Sequence, residues 1–231
     1  MSCMTRNPEL TTRALKRTAV FLVVLAAIII VPAWSWHYWQ GWLYWIVFSA
    51  CTLSSGAYFL RHSPALVARR MSAGPTAETR SAQKVIQTFV SVFMTLTFLF
   101  PALDYHFGWS SLPPWVAIAG DVFVVVGYGI MVLALNENSH AASTVVVEEN
   151  QPVVSSGPYG IVRHPMYSGA LVMLLATPIA LGSLWGLVFA AASVGGLIWR
   201  LLDEEGFLRD RLPGYADYCR RNRHRLIPWL W

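Results

Sequence analysis

Apolar residues in this chain gather into runs too long for an ordinary core helix. A helix rises about 1.5 Å per residue, so roughly 20 mostly apolar residues cross the hydrocarbon layer of a membrane. Runs at 18–34, 42–60, 85–103 and 115–135 are of that kind. A further run, 166–202, is too long for one crossing and is punctuated at Leu181-Gly182-Ser183. Gly and Ser there predict a helical hairpin with a short first arm. The pattern as a whole predicts an all-α fold: a polytopic membrane helix bundle of about five or six transmembrane segments. A polar, cytoplasmic catalytic region follows from the C-terminal hairpin and its flanks. The first run comes after Arg13, Lys16 and Arg17, as in a signal peptide. It ends in Ile30-Val31-Pro32-Ala33-Trp34 without a small-residue cleavage site, so it reads as a retained anchor.

The polar remainder sets the topology. All 17 Lys and Arg residues fall in the N-terminal tail, in 61–84, at Arg163, or from Arg200 onward. With six apolar segments these regions share one side, and cytoplasmic loops carry the Lys/Arg excess. Both termini and the loop 136–165 are therefore expected in the cytoplasm, at the inner or plasma membrane if the chain is bacterial. The opposite connections, 35–41 and 104–114, hold no Lys or Arg but carry Trp36, Tyr38, Trp39 and Trp109, an interfacial aromatic belt. The loop 61–84, with Ser63-Pro64 and Gly74-Pro75, reads as irregular or a short surface helix. Charged residues make up 13% of the chain, against about a quarter in soluble domains. The net charge of +5 flanks apolar runs, which points to anionic lipid rather than nucleic acid. Cys3, Cys51 and Cys219 are scattered and make neither a disulfide framework nor a zinc site. The chain divides into N-terminal transmembrane helices, 1–135, and a polar-flanked C-terminal region, 136–231.

Chemistry-bearing residues concentrate in 136–167 and 200–228, which the hairpin would bring together at the cytoplasmic rim. Gly157-Pro158 makes a turn, and Pro165 suits the first turn of the next helix. The free N–H groups of that helix end could receive an anion beside His164 and Tyr167. Arg200 and Glu204 are four apart on one helix face, the spacing of an ion pair as well as of a site, and Glu205 points elsewhere. Leu208, Leu212, Tyr215 and Tyr218 suggest an amphipathic helix lying on the membrane, interrupted at Pro213-Gly214. Arg220 to Arg225 reads as a lipid-facing basic patch, and Leu226-Ile227-Pro228-Trp229 as an interfacial anchor. Asp121 lies inside the fourth run near its far end and reads as a solvated acid. No metal is expected, since His140 and His164 have no neighbouring ligand set. Neither a dinucleotide nor a P-loop signature occurs.

The run Gly157-Pro158-Tyr159, then Arg163-His164-Pro165-Met166-Tyr167-Ser168-Gly169, Glu204-Glu205, Gly214-Tyr215 with Tyr218, and Arg225-Leu226-Ile227-Pro228 resembles the isoprenylcysteine carboxyl methyltransferase family. The likeness covers about 136–231. It implies S-adenosyl-L-methionine as methyl donor, in a pocket closed by the cytoplasmic ends of the last helices. By position, Gln151, Val153, Val154, Tyr159, His164, Pro165, Met166 and Tyr167 would line that pocket. Glu204 would hold the donor's amino-acid or ribose end. Arg200 would be the catalytic residue facing the acceptor, since arginine clamps a carboxylate through two parallel hydrogen bonds. The acceptor would be an isoprenylcysteine-like or other lipophilic carboxylate, or a lipidated substrate, reached through contact with membrane lipids. The alternatives are amine methylation of a phospholipid, with Glu205 or His164 as base; an NADPH-dependent sterol-reductase-like enzyme; and a small transporter.

Overall fold

A computed structural model describes residues 8–71, 76–78, 80–138, 144 and 151–231. Cys3, Arg6, Gly74-Pro75, His140 and Glu148-Glu149-Asn150 lie outside the described residues. The described residues form eight α-helices: α1 (Pro8–Ile30), α2 (Trp39–His62), α3 (Pro64–Met71), α4 (Ser81–Phe107), α5 (Pro114–Glu137), α6 (Pro165–Ala180), α7 (Gly186–Arg211) and α8 (Tyr215–Arg221). Helices α1, α2, α4, α5 and α7 are long and apolar enough to cross a membrane, and α6 is a shorter apolar helix. The fold is an all-α polytopic membrane bundle.

Large apolar side chains face outward along the spans. Val20, Phe21, Val23 and Val24 of α1 are all about half exposed or more. In water that surface would be an association patch; in a bilayer it is solvated. Trp34, Trp36, Trp109 and Trp115 are exposed at one end, where an aromatic belt belongs.

Helix α5 packs most closely on α6, and α4 on α7. Glycine makes the α5–α6 contact possible. A Cβ added at Gly169 would lie 2.5 Å from the Gly127 carbonyl, and one at Gly127 would lie 2.6 Å from the Gly169 carbonyl. Without a hydrophobic effect between helices in lipid, close backbone approach supplies the packing energy.

Helix α6 has 16 residues, roughly 24 Å of helix, yet it reaches both ends of the bundle. At its C-terminal end the Leu181 carbonyl accepts from the Tyr38 hydroxyl at 2.7 Å. Ser183 donates to buried Asp104, which also accepts from the Ser110 N–H and hydroxyl at 2.7 Å each. The turn between α6 and α7 is thereby fixed to the α4–α5 connection. At the other end Arg17 donates to the Met71 carbonyl at 2.7 Å, and Tyr58 to Asn136 at 3.0 Å. Described basic side chains gather there. α1 begins well before the apolar run, so Arg13, Lys16 and Arg17 ride on a helix that extends past the membrane.

Three sequence expectations are corrected. Asp121 is buried at 4% exposure, and neither carboxylate oxygen meets a hydrogen-bond partner among the described residues. It sits two turns inside α5, beside the tight Gly120–Ala180 crossing, where neighbouring helices cover it. Leu212, Tyr215 and Tyr218 do not face lipid: they are buried against Val153, Leu208 and Cys219. Gly214, at φ +83°, turns the chain back after α7 so that α8 packs inward. Finally, Leu226 is buried against Tyr167, Leu197 and Leu201, while Ile227, Trp229 and Leu230 are exposed as an anchor would be.

Candidate active site at the basic end of the bundle

Two adjacent acids on α7 do different work. Glu205 is 3% exposed and is enclosed by basic side chains. Its Oε1 lies 2.8 Å from Arg163 Nε and 3.2 Å from His164 Nε2; its Oε2 accepts from Arg225 Nε at 3.0 Å. The Arg163 approach has the distance of an ion pair but not the alignment of a hydrogen bond. Arg163 also donates to the Asn222 carbonyl at 3.3 Å. Main-chain bonds from Arg163 to His224 (2.8 Å) and from His164 to Arg225 (3.0 Å) lay the C-terminal segment along the start of α6. Ser168 completes the seam by donating to the Leu226 carbonyl at 2.6 Å. Arg225 is thus part of the fold, while Arg220 and Arg223 remain exposed as a basic patch requires.

Glu204 faces the other way, into a pocket. Its carboxylate accepts from the Tyr167 hydroxyl at 2.6 Å. That hydroxyl in turn accepts from Arg200 Nε at 3.1 Å. The remaining guanidinium nitrogens of Arg200 reach Gln87 on α4 and, at 3.0 Å, Glu78. Both members of the Arg200–Glu78 pair are buried. Arg200 and Glu204 are therefore joined through a tyrosine, and Arg200 stands behind Tyr167 rather than on the pocket wall. Beside this pair, Arg80 grips Asp203 through two bonds of 2.7 and 3.0 Å, which fastens the start of α4 to α7.

The pocket encloses about 810 Å³, part of it open to solvent. Of the residues expected there, Gln151, Val153, Val154, Tyr159, His164, Met166, Tyr167 and Glu204 line it. Pro165 does not; it is buried as the first residue of α6, where its missing N–H costs nothing. Tyr159 comes from a 3-10 turn, Gly157–Gly160, that starts with Gly157 at φ +54°. The turn is held from α8, since the Tyr159 carbonyl accepts from the Tyr218 hydroxyl at 2.7 Å and from Asn222 at 2.8 Å.

Several wall residues escaped sequence reasoning: Asn138, Leu208, Leu212, Tyr215 and Tyr218. Spacing put the last four on an apolar stripe, but a stripe does not say whether lipid or a pocket covers it. Tyr215 is 4% exposed, and its hydroxyl finds no hydrogen-bond partner among the described residues. Burial first, then the nearby Glu205, pushes its pKa well above the ordinary phenol value, so it is a neutral donor. Arg70, on α3, donates to the Met166 sulfur at 3.6 Å and brings a cation over the pocket's edge. Burial lowers its pKa, and the nearby Tyr128, Tyr159 and Tyr167 oppose that shift. Among the described residues no group of three His, Cys, Asp or Glu side chains could hold a metal ion.

Comparison with known proteins gives a family-level likeness. Residues 115–212, from the start of α5 to the end of α7, match the model of the phospholipid methyltransferase family. The chain is 26% identical over 129 residues to protein-S-isoprenylcysteine O-methyltransferase A of Arabidopsis thaliana, a stretch covering 54% of this chain and 56% of that enzyme. It is 24% identical over 125 residues to the B enzyme of the same plant, covering 53% and 55%. It is also 31% identical over 91 residues to Delta(14)-sterol reductase of Mus musculus, covering 38% of this chain and 22% of that protein. The match thus spans little more than half the length of the plant relatives. It makes this chain similar to a group of membrane methyltransferases and reductases, and not to the isoprenylcysteine enzymes alone.

Proposed function

We propose that this chain is an S-adenosylmethionine-dependent methyltransferase of the membrane, and that its acceptor is the amine of a phospholipid head group. The observation that carries the choice of acceptor is the engagement of Arg200. A carboxylate acceptor calls for a guanidinium presented to the pocket, whereas that of Arg200 is committed to Tyr167, Gln87 and Glu78, and that of Arg163, which does line the pocket, lies against Glu205. The phospholipid methyltransferase match over 115–212 supports the same reading.

The lining suits the methyl donor by its chemistry. Glu204 would accept from the donor's ammonium or ribose hydroxyls, a charge-assisted bond. Tyr159 and the apolar Val153, Leu208 and Leu212 suit the adenine ring. The unmatched Tyr215 hydroxyl asks for an acceptor, since a buried unpaired donor costs about 1–3 kcal/mol. When bound, S-adenosylmethionine supplies an electrophilic methyl group on a sulfonium that departs as a neutral thioether.

The chain's own residues would do the rest. An ammonium must shed a proton before its nitrogen lone pair can take the methyl carbon. His164 lines the pocket and is held by Glu205 at 3.2 Å. With Nε2–H donating to that carboxylate, Nδ1 carries the lone pair that removes the proton. Glu205 is then a positioning residue, because its oxygens are committed to Arg163, His164 and Arg225. Arg200 acts similarly, steadying the Tyr167 hydroxyl against Glu204. The basic end carrying the pocket faces the cytoplasm by its Lys/Arg excess.

A carboxylate acceptor is the second reading. It is favoured by the two plant relatives and by Arg70 at the pocket's edge. Trideuteromethyl-labelled donor, purified protein and either phosphatidylethanolamine or a prenylcysteine analogue separate the two. Label on the phospholipid nitrogen is expected. A labelled methyl ester and unlabelled phospholipid would reverse the choice, and no transfer to any membrane lipid extract would sink the enzyme reading.

A further inference from the structure

A second hollow lies away from the pocket, between α1, α2 and α3. It is the more spacious, about 1370 Å³ with its open part included. Ala14 and Thr18 of α1, Leu53, Gly56 and Ala57 of α2, and Val67 of α3 form its walls. It runs alongside α2 from Arg61 down to Thr52, roughly 13 Å at the helical rise. Helix α3 is its third wall, tied to α1 by the bond from Arg17 to the Met71 carbonyl at 2.7 Å. From the pocket it is partitioned by the cluster of Phe59, Leu66 and Leu135 with Met166 packed against it.

We infer that this groove holds an acyl chain of an anionic bilayer phospholipid, with the lipid phosphate against Arg61. Two of its walls, α1 and α2, are long and apolar enough to cross a membrane, so lipid is the solvent on that face. The groove's polarity has the order of a phospholipid. Its walls are mostly apolar, with Thr11, Thr18 and Thr52 among them, and its rim carries an exposed arginine, Arg61, in the last turn of α2. A guanidinium at that depth complements a phosphodiester. The hollow is kept open by small residues. A Cβ at Gly56 would meet nothing within 4 Å, in contrast to Gly127 and Gly169, where the neighbouring helix forbids one. The site is independent of methyl transfer, because no pocket residue of the candidate active site lines it.

Gly56→Leu fills the groove with little disturbance to packing, and Leu53→Trp, from a side chain already half exposed, fills it from a second position. Native mass spectrometry on protein purified with equimolar phosphatidylglycerol and phosphatidylcholine reads occupancy. The wild type is expected to retain one phosphatidylglycerol per chain in preference. Both filling variants should lose that adduct with an unchanged unfolding midpoint. Arg61→Ala should keep a lipid but lose roughly fivefold of the preference for the anionic one. Adducts undiminished in both filling variants, equal retention of the two lipids by the wild type, or a second copy of the chain in place of lipid would overturn the assignment.

Discussion

Glu204 and Glu205 are neighbours in sequence and opposites in environment, and the difference predicts opposite phenotypes. Glu205→Gln takes the negative charge away from Arg163 and Arg225, both held against it at about 3 Å. Breaking a buried pair in this way costs about 3–5 kcal/mol. Chemical or thermal unfolding in detergent should show that loss whether or not any donor is present. Tyr215→Phe should do the reverse. It deletes a hydroxyl with no partner among the described residues, so the free protein should be as stable or slightly more stable. Affinity for S-adenosylmethionine should fall roughly fivefold to thirtyfold, since about 1–2 kcal/mol is one hydrogen bond to a charged or polar ligand. Calorimetric titration of the variant checks this, and unchanged affinity would remove Tyr215 from the site. Spacing alone put Arg200 and Glu204 on one helix face, as an ion pair or a site, and the structure joins them through the Tyr167 hydroxyl rather than directly. Spacing could not supply Tyr167 between them, nor Glu78, before α4, and Gln87, in α4, which lie more than a hundred residues from Arg200.

At the scale of elements, the α5–α6 crossing decides whether the start of α6 sits at the pocket. Gly169→Val places branched bulk where the α5 backbone already lies. Overpacking of this kind costs about 1–3 kcal/mol and moves backbone. It should lower the unfolding midpoint and weaken donor binding together, whereas Gly56→Val, facing open space, should leave both unchanged. A Gly169→Val protein with wild-type stability would contradict the close crossing. The spans were legible because hydrophobicity over 17 or more residues has one main cause. The helix ends were less so, since α1, α2 and α4 each continue past their apolar runs into polar residues. Helix α8 was read as lying on lipid because an amphipathic stripe looks alike against a membrane and against a pocket wall. Only the left-handed turn at Gly214 decides between them, and its direction is set by tertiary packing.

For the whole molecule, charge placement and bundle geometry agree on two distinct ends. Single cysteines placed at Trp36 and at Arg223, both exposed, should label from opposite faces of intact vesicles, with Arg223 on the cytoplasmic face. Labelling of both from one face would undo the topology. The segments that the sequence marked as polar, before α6 and after α7, do converge at one end. Their convergence follows from α6 and α7 being antiparallel neighbours, which the hairpin signal at 181–183 already implied. The engagement of Arg200 was not legible, because nothing in the pattern of residues 200–204 reveals that its guanidinium is held by Tyr167, Gln87 and Glu78. The central claim is that this convergence builds a donor site around Glu204. Equilibrium titration of purified protein with S-adenosylmethionine tests it most directly. Saturable binding at one donor per chain, weakened at least tenfold by Glu204→Ala with an unchanged unfolding midpoint, is the predicted result. Absence of saturable binding to the wild-type protein, or equal affinity in the variant, would contradict it.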